Sequence, residues 1–198
     1  MPELTLRKMM NHWKTVRTHR KWVRKLCTAA GIRWRGIKHD LSKYSPVEFI
    51  ESARYWTGKG SPINQCKKEN GWSKAWLHHK GRNSHHYEYW MDNFDHGGNP
   101  ILMPKDDFTE QVCDFLAAGI TYSGGLENFS FTSEKNWWLA KRDACAMHES
   151  NKAMLDIIFD KFEETDILFN EGLILYGPFD LIHNKYIQNV WQEVYESK

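Results

Sequence analysis

Apolar positions recur at helical spacing along most of the chain. Met9, Trp13, Val16, Val23, Cys27 and Ala30 stand three, four or seven residues apart, which predicts one long helix over 4–30 with a single buried face. Gly31, in AAGIRWRG, supplies its stop. A second, shorter helix is expected to carry His39 and Asp40 and to end before Pro46, because a proline pushes its predecessor out of the α region. SPVEFIESARYW restarts a helix, with Ser45 as N-cap, Pro46 in first position and Glu48 at capping-box spacing. Residues 57–72 are rich in glycine and polar side chains and read as a loop.

Beyond that, SKAWLHHK reads as helix, GRNSHHYEYWMDNF as a break that resumes helix, and DHGGNPILMPKDD as loop. In DFTEQVCDFLAAGITY, Phe108, Val112, Phe115, Leu116 and Ile120 share one helical face. SGGLENFSFTSEKN is expected to be loop. A long helix follows from about Glu134 to Phe162, with Trp138, Met147, Met154, Ile157 and Ile158 as core candidates. The tail mixes a short apolar run with a final amphipathic helix. No series of alternating strands and no repeat is visible, so the expected fold class is all-α, an irregular bundle of about six to eight helices. Its organisation is expected to be a helical domain over 1–165 with a C-terminal helical extension, 166–198, packed on it.

Composition narrows the setting. At 198 residues, 41% hydrophobic and 26% charged, the chain is long enough for a real core, and ten Trp with ten Phe make that core aromatic. No stretch approaches the roughly 18 apolar residues of a membrane span, and MPELTLRKMMNHWK lacks the apolar centre of a signal peptide. The expectation is a cytoplasmic protein with no membrane partner; nothing bears on oligomeric state. Cys27, Cys66, Cys113 and Cys145 are too dispersed for a zinc–thiolate site and read as buried free thiols. The net charge of +2 is unevenly spread: eleven Lys or Arg and no acid fall between Leu4 and His39, and ten acids against four bases from Glu149 to Lys198. A basic stripe attracts phosphate-bearing ligands or nucleic acid, or is simply a solvated face.

Several polar residues sit where a core is expected. His19, three after Val16 and four before Val23, lies on the apolar face of the first helix, with His12 seven residues earlier on the same face. An imidazole there needs a hydrogen-bond partner or a metal. A turn after the first helix would bring the His39-Asp40 pair near His19, and imidazole plus carboxylate suits Mn, Fe, Zn, Ni or Co, or Mg with waters. Asp114 lies beside the buried stripe of its helix, with Glu110 one turn earlier able to support it. WLHHKGRNSHHYEYW packs His78, His79, His85 and His86 into nine residues, a density that suits a metal, a phosphate or proton transfer, with Lys80 and Arg82 nearby for an anion.

HRKWVRKLCTAAGI, then KHDLSKYSP, then EQVCDFLAAG together resemble the ordered signature of the HD-domain superfamily of metal-dependent phosphohydrolases, over roughly residues 15–120. The stretch from HDLSKYSP to AWLHHKGRNSHHYEYW also resembles an uncharacterised bacterial and phage branch of that look. The resemblance implies an HD-like helical fold and a metal set of His19, His39, Asp40 and Asp114. Members with two ions add two histidines well separated in sequence, whereas His79 and His85 or His86 are six or seven residues apart. One divalent ion is therefore expected and a second is left open. His79, His85 and His86 are expected to act on substrate or leaving group, or to support the ligands, and Lys43, a turn after Asp40, to contact a phosphate.

Three functions follow as expectations. The first is hydrolysis of a nucleotide or other small phosphate ester, the ion activating water and polarising a phosphoryl oxygen. The second is an HD-type di-iron oxygenase, which surplus histidines would permit. The third is a non-catalytic nucleic-acid-binding protein, using the basic first helix with its interleaved Trp13, Trp22 and Trp34.

Overall fold

The structure is a computed structural model that describes residues 1–170 and 189–194. Among these it is an all-α bundle: α1 (Leu6–Ala29), α2 (Arg33–Lys38), α3 (Pro46–Arg54), α4 (Pro62–Asn70), α5 (Lys74–Lys80), α6 (Lys105–Ser123), α7 (Phe131–Leu139) and α8 (Glu149–Asn170). A helical stretch at 189–194 adds Val190 to the core and Trp191 beside Phe108. The described strand structure is a two-residue ladder, Met91 opposite Pro100 and Asp92 opposite Asn99. Of the expected extension over 166–198, residues 171–188 and 195–198 lie outside the described residues. No described helix is long and apolar enough to cross a membrane.

The core forms where α1 packs along α6, closed by α7 and α8. Val23, Leu26 and Cys27 of α1 meet Phe108, Val112, Cys113 and Leu116 of α6, with Trp138, Met154, Leu155 and Ile158 beyond. All three α1 residues are fully buried, the outcome of the helical spacing of its apolar residues. α2 lies against α1 at close range: a Cβ on Gly36 would stand 2.6 Å from Cys27 Cβ. α3 packs on α1 and α5 on α3, so the bundle has two layers with a seam between them.

Four expected boundaries differ. His39 and Asp40 do not sit on a second helix. α2 ends at Lys38, His39 caps it, and Asp40 takes a left-handed conformation (φ 55°) before a 3-10 turn over Leu41–Tyr44. On a helix the two side chains would diverge by about 100°, whereas the reversal at Asp40 lets both reach one point. The presumed loop 57–72 contains α4, whose start and end signals are Ser61-Pro62 and the left-handed Gly71; its polar sequence hides the helical pattern. The segment 81–94 does not resume α-helix but folds as turns and short 3-10 segments leading into the small ladder. The expected helix from Glu134 to Phe162 is two helices separated at 140–148, and α7 starts earlier, at Phe131. Trp138 Nε1 (2.8 Å) and Arg142 Nε (2.8 Å) both donate to the Asp156 carboxylate, which ties α7 and the link back onto α8.

Candidate metal centre

α1, the turn after α2, and α6 bring His19, His39, Asp40 and Asp114 together in the seam. All four are at least nine-tenths buried. One ligand-type atom from each lies within 4.8 Å of the others, close to the span of an ion's ligand shell with bonds of about 2.0–2.2 Å. α5 and the turn after it deliver His79, His85 and His86, which form a second such group with the same Asp40. Asp40 stands between the two groups. Its Oδ2 faces His39 Nε2 (3.2 Å) and His19 Nε2 (3.4 Å), and its Oδ1 faces His79 Nε2 (3.2 Å) and His85 Nε2 (3.5 Å). Asp114 Oδ1 closes the first group, 2.9 Å from His19 Nε2 and 3.2 Å from His39 Nε2.

The tautomers follow from what lies behind the rings. Glu110 Oε1 accepts from His39 Nδ1 at 2.8 Å and lies 3.3 Å from His85 Nδ1. Glu48 Oε2 accepts from His79 Nδ1 at 2.8 Å, and its Oε1 accepts from His78 Nδ1 at 2.6 Å. A carboxylate behind Nδ1 places the proton there and turns the Nε2 lone pair toward Asp40, the arrangement that metal-binding histidines adopt. Imidazole lone pairs then face carboxylate oxygens, with the Lys43 ammonium beside Asp40 Oδ2. His19 Nε2, His39 Nε2, His85 Nε2 and both oxygens of Asp40 are buried without a partner of hydrogen-bonding geometry, and His79 Nε2 stands 2.9 Å from His86 Nε2. The donor set of five imidazoles and two carboxylates therefore fits divalent ions, one on each side of Asp40.

The electrostatics put the carboxylates and His86 in the forms that ligate. Burial works against charge on Asp40, yet His39, Lys43 and His79 override it and hold the carboxyl well below its usual range. Asp114 is likewise held ionised against its burial by His19 and His39. Burial, then the neighbouring His85 and His79, push His86 well below the ordinary imidazole value, which keeps it neutral. Against their burial, Asp40 and the neighbouring carboxylates hold His39 well above and His79 above the ordinary imidazole value, so an ion that binds there displaces protons from these rings.

Lys43 extends 2.5 Å from Asp40 Oδ2 and reaches the wall of a cavity of about 320 Å³ that opens on the centre. His19, His79, His86 and Asp114 share that wall. His78 stays outside both ligand groups and contacts Glu48 instead. His12 is buried and lines the cavity without joining either group.

Two supporting residues escaped the sequence reading in whole or part. Glu48 was expected to close a capping box with Ser45, but the Ser45 hydroxyl makes no cap bond and Glu48 turns inward to His78, His79 and Ser42. Nothing local in the sequence marks that choice. Glu110 supports His39 and His85 rather than Asp114, and is itself held by Arg35 (2.8 Å), which also pairs with Asp107. Arg20 donates to the backbone carbonyls of His39 (2.8 Å) and Ile37 (2.9 Å), fixing the turn that presents the His-Asp pair.

The chain belongs to a family of unknown function, DUF5662, whose model matches residues 8–161. That span contains both ligand groups and their supporting carboxylates. No curated protein and no solved structure matches the chain.

Proposed function

We propose that the protein is a metal-dependent phosphohydrolase built on a two-ion centre, acting on a nucleotide or other small phosphate ester. The observation that carries this reading is Asp40, whose two oxygens face separate histidine pairs across a buried seam. His19, His39, Asp40 and Asp114 would hold one ion, and His79, His85 and His86 with Asp40 would hold the other, so these three histidines would serve as ligands rather than as proton donors. Divalent ions bound there would supply an activated water and polarise a phosphoryl oxygen. The order of residues matches the HD-domain signature, which supports the same chemistry.

The chain's own residues do the rest. Lys43, on the cavity wall beside Asp40, binds a phosphoryl oxygen of the ester. Glu48 and Glu110 keep protons on the Nδ1 atoms and so keep the Nε2 lone pairs available. The apolar and aromatic remainder of the cavity excludes bulk water from the leaving group. In the net reaction water oxygen bonds to phosphorus, the ester P–O bond breaks, and the leaving oxygen takes up a proton.

The test is an assay of purified protein against phosphomonoesters and nucleotides, with Mn, Co, Ni, Zn, Fe and Mg supplied in turn. Turnover with at least one ion, lost in Asp40→Ala, supports the reading; a folded, ion-loaded protein inert to the whole panel overturns it. The histidine-rich donor set also suits two irons, and the oxygenase reading then requires about two irons per chain with iron-linked absorbance and no metal-dependent phosphatase activity.

A further inference from the structure

The cavity beside the metal centre contains a side chain that hydrolysis leaves unused. Gln111 is fully buried, lines the cavity, and has no hydrogen-bond partner at either Oε1 or Nε2. A buried amide with both ends unpaired is costly, and such groups are rare unless something absent from the free protein satisfies them. His12 Nδ1, on the same cavity wall, is a second buried atom without a partner.

Helix geometry sets what Gln111 stands beside. It precedes Asp114 by three residues and Phe115 by four on α6, so the amide shares a side of the helix with a metal-facing carboxylate and an aromatic ring. Phe115 meets Trp137 edge-on at 5.1 Å, and both rings line the cavity. At the metal end Trp76 lies 4.8 Å from the His86 ring. Flat aromatic walls, a donor–acceptor pair at the edge and an ion-binding end together describe a site for a flat polar ring carrying a phosphate. A volume of about 320 Å³ admits a ligand of mononucleotide size and not an oligonucleotide.

We infer that Gln111 is a specificity residue that reads the edge of a planar ring with a hydrogen-bond donor beside an acceptor, the chemistry of a nucleobase, while the ring lies against Phe115 and Trp137. The position of the phosphate at the ions rests on the hydrolytic reading; the recognition of the ring rests on Gln111 and the aromatic walls. In the free protein the amide is unsatisfied and covered, so the ligand completes its two bonds by displacing the side chains over it, and a site built this way discriminates strongly against rings lacking that edge.

The test compares the full chain with Gln111→Leu, both loaded with Mn. The probes are the four common nucleoside 5′-monophosphates and phenyl phosphate, which has a ring but no donor–acceptor edge. Binding is read by calorimetry and the unfolding midpoint is measured without ligand. The inference predicts that the best-bound nucleotide loses about 10–100-fold in affinity. Phenyl phosphate should change by less than about threefold, and ligand-free Gln111→Leu should melt no lower than the parent, because two unpaired polar atoms have gone. Equal losses for phenyl phosphate and nucleotides would overturn it, as would a parent protein with no preference for any nucleotide over phenyl phosphate. A lower melting point with the nucleotide preference intact would make Gln111 a structural residue and also overturn it. Nucleotide binding that depends on Gln111 without turnover of any probe upholds the inference and removes the hydrolytic reading; metal-dependent turnover of phenyl phosphate with no base preference does the reverse.

Discussion

At the scale of single residues, the centre is governed by the carboxylates behind its imidazoles. Glu48 accepts from His79 Nδ1 and from His78, and it touches neither His19 nor His39 in any described hydrogen bond. Glu48→Gln should therefore weaken ion binding on the His79 side of Asp40 by about 10–100-fold while leaving the His19 side near its parent affinity. A two-site metal titration checks this, and equal weakening of both sites would show that the two groups are not separate. The candidate ligands most legible in the sequence are those on helical faces. His19 and Asp114 sit among apolar residues at spacings that force them inward, which is itself the anomaly that marks them. Gln111 occupies an equally inward position, but an amide carries no charge to flag it. Glu48 was concealed by a local explanation, the capping box, that the fold does not use.

At the scale of elements, close helix packing and buried charge make two further predictions. Gly36 lets α2 lie on α1, and an added Cβ would stand 2.6 Å from Cys27 Cβ and 3.1 Å from the Arg24 Cα. Since neither neighbour is the free end of a flexible chain, Gly36→Ala should destabilise the fold by about 1–3 kcal/mol in denaturant unfolding. It should also disturb the turn that presents His39. Glu134 packs its carboxyl over Gly119 of α6, and burial pushes its pKa up to about 7. The folded state then holds a proton that the unfolded chain has already released, so stability falls as pH rises from about 4.5 through 7 and levels off above. Glu134→Gln should match the parent near pH 4 and exceed it by roughly 1–3 kcal/mol at pH 8, read from unfolding midpoints across that range. A pH-independent difference would place Glu134 in a solvated setting.

The elements themselves were unevenly legible. α1 and α6 were evident because their apolar faces are long and regular. α4 was lost because PINQCKKEN is largely polar and offers only its end signals. The break between α7 and α8 contains neither glycine nor proline; it exists because Trp138 and Arg142 converge on Asp156, a contact between residues 14 and 18 apart.

At the scale of the whole molecule, the two packed layers each supply part of one centre. α1, α2 and α6 carry His19, the His39-Asp40 turn and Asp114, while α3 and α5 carry Glu48 and His79. The seam is thus a polar interior beside the hydrophobic core that α1 and α6 form with α7 and α8, and bound ions would join the layers. Part of the basic stripe between Leu4 and His39 serves this assembly rather than a partner, since Arg20 and Arg35 are spent on the His39 turn and on Glu110. The four-residue group is legible in the sequence and the second group is not, because the spacing of His79, His85 and His86 along the chain does not reveal that a turn after α5 folds His85 and His86 back toward His79. The most direct measurement is therefore the metal stoichiometry of the chelated and then reconstituted 198-residue chain, alongside Asp40→Ala verified as folded by circular dichroism. The shared carboxylate predicts two divalent ions per chain in the parent and loss of both in the variant; fewer than one ion in the parent, or an unchanged count in Asp40→Ala, would contradict it.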